Sequence, residues 1–396
     1  MVDTRIDVAG LQPLESKLPG TGTTIFTVMS QLAAESGALN LSQGFPEFDP
    51  DPRLVELVHK HMRDGSNQYA PMMGVEVLRE ALAEKVSTLY GREADPQTEV
   101  TVCSGATEGL FSSIHALVRP GDEVIVFDPA YDSYEPAVTL AGGITRHVPL
   151  VSSDERPALH IDWQALTDTL NDQTRLIILN FPHNPTGAIL APDDLDRLSE
   201  ILGDRPVYLL SDEVYEHIVF DGERHYSLME HDDLWRRSLV ISSFGKTYHV
   251  TGWKLGYCVA PGNLTREFRN VHQWNTFTSV TPMQLALADF MRETPEHYAE
   301  LSRFYERKRD LFCDLLSKSR FQLDRAAGTF FQTLRYDAIT DTLDVDYARQ
   351  LTVEQGVAAI PVSVFCAEPP TPGTLRFCFA KNDNTLREAA ETLCRL

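Results

Sequence analysis

The chain has 396 residues, which exceeds the roughly 250–300 residues at which single cores stop growing, so we expect two domains or subdomains. Its 43% hydrophobic and 23% charged residues are ordinary for a globular enzyme, and no apolar run reaches the ~20 residues of a membrane-spanning helix. The formal net charge of −22 opposes binding to nucleic acid or an anionic membrane, and the first 20 residues lack the pattern of a secretory signal, so we expect a cytosolic protein.

The middle of the chain alternates short strands with helical patterns. Helical spacing runs over 75–89, 107–118 and 192–202. Strands are predicted at 100–103, 123–127, 176–179, 207–210, 239–242 and 255–259. Most of these strands are continuous apolar runs, as expected where both faces of a sheet are covered. The alternation predicts an α/β fold with a mostly parallel sheet in a large domain over 51–285.

The pattern of predicted helices and strands changes after about residue 285. A charged helix is predicted over 297–317, strands near 330–334, 357–360 and 375–379, and a last helix over 385–396. This pattern predicts a smaller α+β domain over 286–396. The first 50 residues have no strong period, and we expect them to pack as an arm on that domain or on a partner subunit.

The six cysteines form no CxxC pair and no metal-ligand spacing with the histidines. We therefore predict reduced, buried cysteines and no metal site.

A lysine follows directly after one predicted strand. The run 239–242 leads into Ser243, then Lys246, and Lys254 comes eight residues further on. In α/β folds, ligands bind at the carboxyl edge of the sheet. A lysine there can form a Schiff base with an aldehyde once burial or a nearby cation lowers its pKa. Two surface lysines are the alternative interpretation.

An acid ends another predicted strand. Asp212 closes the run 207–210 and is followed by Tyr215. A carboxylate in such a place is costly unless it has a cationic or hydrogen-bonding partner. A protonated pyridine nitrogen is one such partner, and a helix N-cap is the alternative.

Two turns could present groups to the same edge. Asn184 lies in the turn Asn-Pro-Thr-Gly after the strand 176–179, where its side chain could point inward. The segment Gly105-Ala106-Thr107 passes from a strand into a helix, whose N-terminal N–H groups could bind an anion. Each motif alone is also an ordinary turn.

Arg376 lies in an otherwise apolar strand near the end of the chain. A buried arginine usually has an anionic partner, and its planar fork fits a carboxylate. A structural salt bridge is the competing interpretation.

Taken in order, these motifs resemble the class I/II aminotransferases of the fold-type I pyridoxal-phosphate (PLP) enzymes, over nearly the whole chain. Within that family, the kynurenine and bacterial methionine aminotransferases are most similar. The segments that carry this likeness begin at Leu41-Ser-Gln-Gly44, Asn67-Gln-Tyr69, Phe127-Asp-Pro-Ala-Tyr131 and Ile360-Pro-Val-Ser.

The resemblance implies PLP as the cofactor and a catalytic group of three residues. Lys246 would form the Schiff base and move the proton between the substrate Cα and the cofactor through an aldimine and a ketimine. Asp212 would pair with the pyridine nitrogen, and Tyr215 would bond the phenolate oxygen together with Asn184.

The resemblance also implies the remaining contacts. Tyr131 would stack on the cofactor ring, and Tyr69 would reach over from the second subunit of a homodimer with shared active sites. The implied phosphate ligands are Gly105, Ala106, Thr107, Ser243 and Lys254. The implied substrate ligands are Arg376, Asn184 and Gly44, with Ile25 and the partner's Phe277 around the substrate side chain.

One absence bears on the substrate. Aspartate aminotransferases bind the distal carboxylate with an arginine in the region that here reads Trp274-Asn-Thr-Phe-Thr-Ser-Val-Thr, which has no arginine or lysine. The resemblance therefore implies methionine, aromatic and apolar L-amino acids, with kynurenine among them, as donors to a 2-oxo acid.

Three other functions compete with this one. A PLP-dependent cysteine-conjugate or cystathionine β-lyase would use the same lysine and is the main alternative. A PLP-binding regulator would carry an added DNA-binding module, which the net charge opposes. A dinucleotide-binding dehydrogenase would need a G-x-G-x-x-G after an early strand, and the sequence has none.

Overall fold

A computed structural model describes residues 14–153, 156, 158–368 and 373–396. The helices are α1 Ile25–Ser36, α2 Pro52–Arg63, α3 Glu76–Tyr90, α4 Ala106–Leu117, α5 Tyr134–Leu140, α6 Trp163–Thr169, α7 Asp194–Leu202, α8 Asp232–Trp235, α9 Phe244–Thr247, α10 Gly262–Asn275, α11 Thr281–Glu293, α12 His297–Leu316, α13 Asp344–Gln355 and α14 Asp383–Leu393. The strands are β1 Leu39–Asn40, β2 Val100–Cys103, β3 Glu123–Asp128, β4 Ile144–Val151, β5 His160–Ile161, β6 Thr174–Asn180, β7 Tyr208–Asp212, β8 Ser238–Ser243, β9 Gly256–Val259, β10 Phe331–Arg335, β11 Val357–Ala358, β12 Ile360–Pro361 and β13 Thr374–Cys378.

Eight strands form the main sheet in the order β2-β9-β8-β7-β6-β3-β4-β5. The pairs among β3, β4, β6, β7 and β8 are parallel, while β9 runs antiparallel to both of its neighbours and β5 runs antiparallel to β4. The predicted α/β fold with a mostly parallel sheet is therefore confirmed. All residues of β2, β3, β8 and β9 are buried, as covered strands require.

The register of this sheet brings polar residues to one edge. Asn180 lies opposite Asp212 across β6 and β7, and Ser243 lies opposite Gly256 across β8 and β9. Cys103, at the end of β2, is also opposite Gly256. The carboxyl ends of the parallel strands therefore meet the start of β9, where α/β folds bind ligands.

A second layer of structure involves both ends of the sequence. Strands β10, β13 and β12 form an antiparallel three-stranded sheet, and β1 pairs in parallel with β11. Helix α1, which was not predicted from the sequence, begins at the N-cap Thr24 and ends at Gly37 in the left-handed conformation. The N-terminal segment that the structure describes thus packs on the C-terminal part of the chain.

Buried apolar residues gather in separate clusters. Two clusters on the main sheet take their residues from between Leu54 and Met291. A third combines Met29, Leu41 and residues from Leu301 onward with Tyr215, Ile218 and Phe220 of the central region. The division into a large domain, 51–285, and an arm with a small domain, 1–50 and 286–396, stays a prediction.

All six cysteines are unpaired, but burial was predicted too broadly. Cys103, Cys258, Cys313 and Cys378 are buried, whereas Cys366 is half-buried and Cys394 is exposed. Cys394 lies at the C-cap of α14, the last helix, where little of the chain remains to cover it. Among the helices that the structure describes, none is long and apolar enough to cross a membrane.

Candidate active site

A cavity lies at the carboxyl edge of the main sheet, with about 710 Å³ of space that opens to solvent. Its lining residues are Gly105, Ala106, Thr107, Leu110, Tyr131, Asn180, Asn184, Asp212, Val214, Tyr215, Ser243, Gly245, Lys246, Thr251, Lys254 and Leu255. Nearly all the residues predicted to bind the cofactor thus surround one cavity.

Lys246 enters the cavity from α9, a single turn that begins directly after β8. The Ser243 side chain caps this turn by accepting a hydrogen bond from the Gly245 N–H at 3.1 Å. Lys246 Nζ donates to the Gly44 carbonyl at 3.1 Å and lies 5.6 Å from the centre of the Tyr215 ring. Burial lowers the pKa of Lys246 to about 8, so its amine is partly neutral and nucleophilic near neutral pH.

Asp212, at the end of β7, is a buried carboxylate without an ion-pair partner among the residues that the structure describes. Its Oδ2 accepts a hydrogen bond from the Tyr134 hydroxyl at 2.7 Å, and Oδ1 accepts one from the Val214 N–H at 3.4 Å. Burial raises the pKa of Asp212 to about 6. A carboxylate held this way would be stabilised by a cationic or N–H group of a ligand in the cavity.

Backbone at the start of α4 forms an anion site on the opposite wall. Gly105 precedes the helix with a φ of 82°, and a Cβ at this position would lie 3.3 Å from Lys254 Cε. A Cβ on Gly256 would lie 2.9 Å from the Ala106 nitrogen, so glycine is needed for the close approach of β9. The free N–H groups of a 12-residue helix and a nearby lysine attract a phosphate.

Arg376 lies beside the cavity and reaches it through Asn184. Its Nη1 donates to Asn184 Oδ1 at 2.8 Å and its Nη2 to the Ser42 carbonyl at 2.7 Å. Its Nε is buried with no hydrogen-bond partner, and no carboxylate within the described ranges forms an ion pair with it. Burial lowers the pKa of Arg376 to about 10, still far above neutrality. The predicted alternative of a structural salt bridge therefore has no partner in the described part of the chain.

Aromatic rings form the remaining walls. Tyr131 contacts Tyr134 edge to face at 5.6 Å, and burial raises the pKa of Tyr131 to about 12. Tyr215 packs edge to face on Phe330 at 5.1 Å and Phe331 at 5.8 Å. Both tyrosines are thus fixed as neutral hydroxyls that can donate hydrogen bonds.

Besides Arg376, four predicted residues do not line this cavity. Gly44 meets it only through its carbonyl at Lys246. Ile25 is half-buried at the start of α1 and packs on the small-domain cluster. Tyr69 and Phe277 are 85% and 47% exposed, and their rings meet edge to face at 5.6 Å. The last two form an exposed aromatic pair outside the cavity of their own chain.

Four residues that support the site were not predicted from the sequence. Tyr134 bonds Asp212, Asn180 lines the cavity, Ser42 accepts from Arg376, and Phe26 lies 5.0 Å below the Arg376 guanidinium. Phe26 also approaches the Tyr131 ring at 6.4 Å, so it borders the site where its neighbour Ile25 was expected. Tyr134 and Asn180 stand in the motifs of Tyr131 and Asn184 and could have been found from them.

The fold and the cavity together are those of an enzyme that handles amino acids. The chain belongs to the class I and II aminotransferases, since residues 36–393 match the model of that family. It is therefore an aminotransferase, and the β-lyase alternative is not favoured.

Relatives of this chain cover almost its whole length. A methionine aminotransferase of Escherichia coli (strain K12) is 50% identical, over 96% of this chain and 98% of its own. A kynurenine–oxoglutarate transaminase of Dictyostelium discoideum is 34% identical, over 95% and 94%. The solved structure of an Escherichia coli protein with a methionine aminotransferase function superimposes with a TM-score of 0.94 at 49% identity, covering 98% of this chain and all of that one.

Proposed function

We propose that this aminotransferase binds PLP in the cavity, with Lys246 as the residue that forms its Schiff base. Enzymes of the class I and II family depend on PLP. Three observations support the fit: a buried lysine with lowered pKa, a buried carboxylate without an ion-pair partner, and an anion site at a helix start. When bound, PLP supplies an electron sink for the carbanion at the substrate Cα.

Asp212 and Tyr134 act at the ring nitrogen. The Asp212 carboxylate would accept the hydrogen of a pyridinium, and the Tyr134 hydroxyl holds that carboxylate in place from behind. Because Asp212 is buried, this pairing would be stronger than in water, and the carboxylate would favour a protonated ring nitrogen. Tyr215 and Asn184 would donate to the phenolate oxygen, and Tyr131 would cover the ring face.

The phosphate would bind at the turn before α4. The N–H groups of Ala106 and Thr107, the Ser243 hydroxyl and the Lys254 ammonium all border that end of the cavity. Gly105 lets Lys254 approach this turn closely. Such a local cup is needed because the chain as a whole is strongly negative.

Lys246 would also move the proton of the reaction. Once its amine is free, it would take the proton from the substrate Cα and release it to the cofactor carbon on the other side of the substrate nitrogen, because a pKa near 8 suits both accepting and releasing a proton. The Gly44 carbonyl, 3.1 Å from Nζ, holds the amine on the small-domain side of the cavity.

Arg376 and Asn184 would bind the substrate α-carboxylate. The Arg376 guanidinium already donates to Asn184 and Ser42, and its Nε has no partner. Phe331 lies 3.9 Å below the guanidinium and holds its plane. A carboxylate bound there would neutralise a buried cation, which strengthens binding.

As donors we propose methionine first, then aromatic and apolar L-amino acids including kynurenine, with a 2-oxo acid as acceptor. The support is the identity to a methionine aminotransferase, the absence of arginine and lysine from 274–281, and the apolar borders Ile25 and Phe26. An apolar pocket discriminates only about 1–3 kcal/mol per methylene, so several side chains should be accepted. A side-chain carboxylate would lose its hydration without a partner.

We further propose a homodimer in which Tyr69 and Phe277 complete the partner's active site. The support is their exposure as a contiguous aromatic pair, with Trp274 and Val280 also exposed beside them. The cytosolic location stays a proposal, supported by six unpaired cysteines.

The test is a comparison of kcat/KM for methionine, phenylalanine, kynurenine and aspartate with one oxo acid. We expect methionine to be best and aspartate worst. Aspartate as the best donor would refute the proposed pocket. Release of pyruvate and thiol from an S-alkyl cysteine at a rate above transamination would instead support the β-lyase alternative.

A further inference from the structure

A buried histidine connects two regions that serve different active sites in the proposed dimer. His272, on α10, has no solvent exposure. Its Nδ1 lies 3.0 Å from Glu108 Oε1, and its Nε2 donates to the Met72 carbonyl at 3.1 Å. Neither His272 nor Glu108 lines the cavity, so the proposed chemistry leaves their contact unexplained.

Glu108 fixes the turn at which the phosphate is proposed to bind. It lies in the first turn of α4, and its Oε2 accepts a hydrogen bond from the Ser104 N–H at 3.1 Å. Its Oε1 accepts one from the Ser112 hydroxyl at 2.7 Å. The phosphate turn starts at the next residue after Ser104, so the position of this carboxylate sets the position of the turn.

The other side of His272 carries the exposed aromatic pair. Its backbone carbonyl accepts hydrogen bonds from the N–H groups of Thr276 at 3.0 Å and Phe277 at 3.2 Å. Met72, bonded by the ring, is three residues from Tyr69, whose ring meets Phe277. The ring of His272 therefore holds the segment that carries Tyr69, and its backbone carbonyl holds the segment that carries Phe277.

We propose that Glu108 and His272 are positioning residues that couple the phosphate turn of one subunit to the aromatic pair that this subunit lends to its partner. The inference rests on the proposed function, in which the turn binds the cofactor phosphate and Tyr69 and Phe277 reach the neighbouring site. Cofactor binding at the phosphate turn of one subunit then orders the aromatic pair that this subunit contributes to the active site of its partner. By linkage, the coupling acts equally in the reverse direction.

The two ring nitrogens can be separated by substitution. The amide of H272N takes the place of Nδ1 and keeps the contact to Glu108 while losing Met72. The amide of H272Q takes the place of Nε2 and keeps Met72 while losing Glu108. Glu108→Gln weakens the same contact as H272Q from the other partner. The matched control is His61→Asn, because His61 contacts Asp289 at 2.8 Å between α2 and α11, outside this connection.

The first experiment measures PLP affinity by titrating apo-protein and following cofactor absorbance and protein fluorescence. H272Q and Glu108→Gln should weaken PLP binding by about tenfold, whereas H272N and His61→Asn should leave it within about twofold. Equal affinities for all four variants would overturn the role of Glu108 and His272 at the phosphate turn.

The second experiment uses a heterodimer of one wild-type and one Lys246→Ala subunit at saturating PLP, in which only the wild-type lysine works. H272N placed in the Lys246→Ala subunit should lower kcat/KM of the working site by about fivefold, since that subunit lends its aromatic pair. H272Q in the same place should have a smaller effect.

The outcomes separate this inference from the proposed function. Tyr69→Ala in the Lys246→Ala subunit tests the shared site, and an unchanged kcat/KM of the working site would mean that the sites are not shared. If Tyr69→Ala lowers kcat/KM and H272N in the Lys246→Ala subunit changes nothing, the coupling is wrong and the proposed function stands.

Discussion

Two buried carboxylates four residues apart, Asp212 and Glu216, have opposite surroundings. Glu216 accepts hydrogen bonds from Lys85 and Tyr257, each at 2.7 Å, and from the hydroxyls of Tyr90 and Ser242. Although burial opposes it, the Lys85 ammonium helps to hold the pKa of Glu216 well below its usual range. Asp212 has one hydroxyl and one long backbone contact, and its pKa is raised.

This difference in partners separates buried charges that stabilise the folded protein from buried charges that remain available to a ligand. The Glu216 cluster is complete within the protein, so it can hold β8, β9 and α3 together behind the cavity. Within the described part of the chain, Asp212 has no ion-pair partner and the Arg376 Nε has no hydrogen-bond partner. Incomplete pairing of buried charges therefore marks the site as clearly as the cavity does.

The comparison predicts its largest effect at Lys246. Lys246→Ala should lower the transamination rate by about 10⁴-fold, because both the Schiff base and the proton transfer need this amine. Borohydride reduction followed by peptide mapping should place the cofactor label on Lys246 in the wild type. A label on Lys254 or any other lysine would contradict the assignment.

Breaking the complete cluster should instead lower stability. Lys85→Met leaves the Glu216 carboxylate buried without its cation, and we expect the free energy of unfolding to fall by about 3–5 kcal/mol. The double variant Lys85→Met/Glu216→Gln should regain most of this loss in urea titrations. Lys60→Met, at an exposed lysine 4.0 Å from Asp289, is the control and should change stability by less than about 1 kcal/mol. No recovery in the double variant would mean that the pair does not act as a unit.

Asp212→Asn should lower activity by about 10²–10³-fold, since an amide cannot keep the ring nitrogen protonated. The stability of the apo-protein, in contrast, should increase with this substitution. The folded-state pKa of Asp212, about 6, exceeds the ordinary value of 3.8, so the carboxylate costs stability increasingly as pH rises through that window. Apo Asp212→Asn should therefore gain stability over the wild type between about pH 4 and 6 and keep the gain above it.

The same pH series on Glu216→Gln sharpens the contrast. The pKa of Glu216 is lowered in the folded protein, so its stabilising effect is present above the ordinary value of 4.5 and is lost as pH falls. Glu216→Gln should thus be destabilised most at neutral pH. If the stability of both variants relative to the wild type changed with pH in the same direction, the proposed difference between the two carboxylates would be wrong.

Arg376→Lys keeps the charge but loses the planar fork, and substrate affinity should fall by about 1.5–3 kcal/mol. Arg309 provides the matched control, because it is equally buried but is bonded to Asp221 at 2.8 Å. Arg309→Lys should change stability while leaving KM for the amino acid unchanged. A KM effect of equal size in both variants would point to a structural role for Arg376.

The smallest expected effect concerns pH and cofactor capture. Because burial lowers the pKa of Lys246 to about 8, the neutral amine that attacks the aldehyde forms well below pH 10. The rate at which apo-protein captures PLP, followed by absorbance, should rise with pH and level off above about pH 8. A rate still rising steeply at pH 10 would indicate an ordinary, solvated lysine.

Continuous apolar runs gave the most accurate predictions from the sequence. Strands β7 and β8 were predicted within two residues, and Asp212 and Lys246 were found because they come directly after such runs. Strand β4 was missed because it alternates buried and exposed residues and so lacks the continuous apolar run of a covered strand. Lys254 and Ser243 were predicted from the same motif and do border the cavity.

Contacts that depend on packing between distant elements could not be predicted. Tyr134 could be found from the motif of Tyr131, but its hydrogen bond to Asp212 could not, because only the tertiary fold brings α5 to the end of β7. On α1, the ring of Phe26 lies 5.0 Å from the Arg376 guanidinium, and the neighbouring Ile25, which the resemblance implied, is turned by about 100° around the helix. Cys394 was predicted to be buried together with the other cysteines, but it is exposed at the C-cap of α14.

The contact between Arg376 and the Ser42 carbonyl spans 334 residues of sequence, and that between Lys246 and the Gly44 carbonyl spans 202. A ribosome adds about 5–20 residues per second, so the main sheet, which ends at Val259, is fully synthesised several seconds before Arg376. Ser42 and Gly44 leave the ribosome early, but the strand β13 that carries the guanidinium comes almost last. The proposed substrate-binding side of this enzyme is therefore among the final parts to form, and a chain cut short before β13 has Lys246 but lacks Arg376, the proposed ligand of the substrate carboxylate.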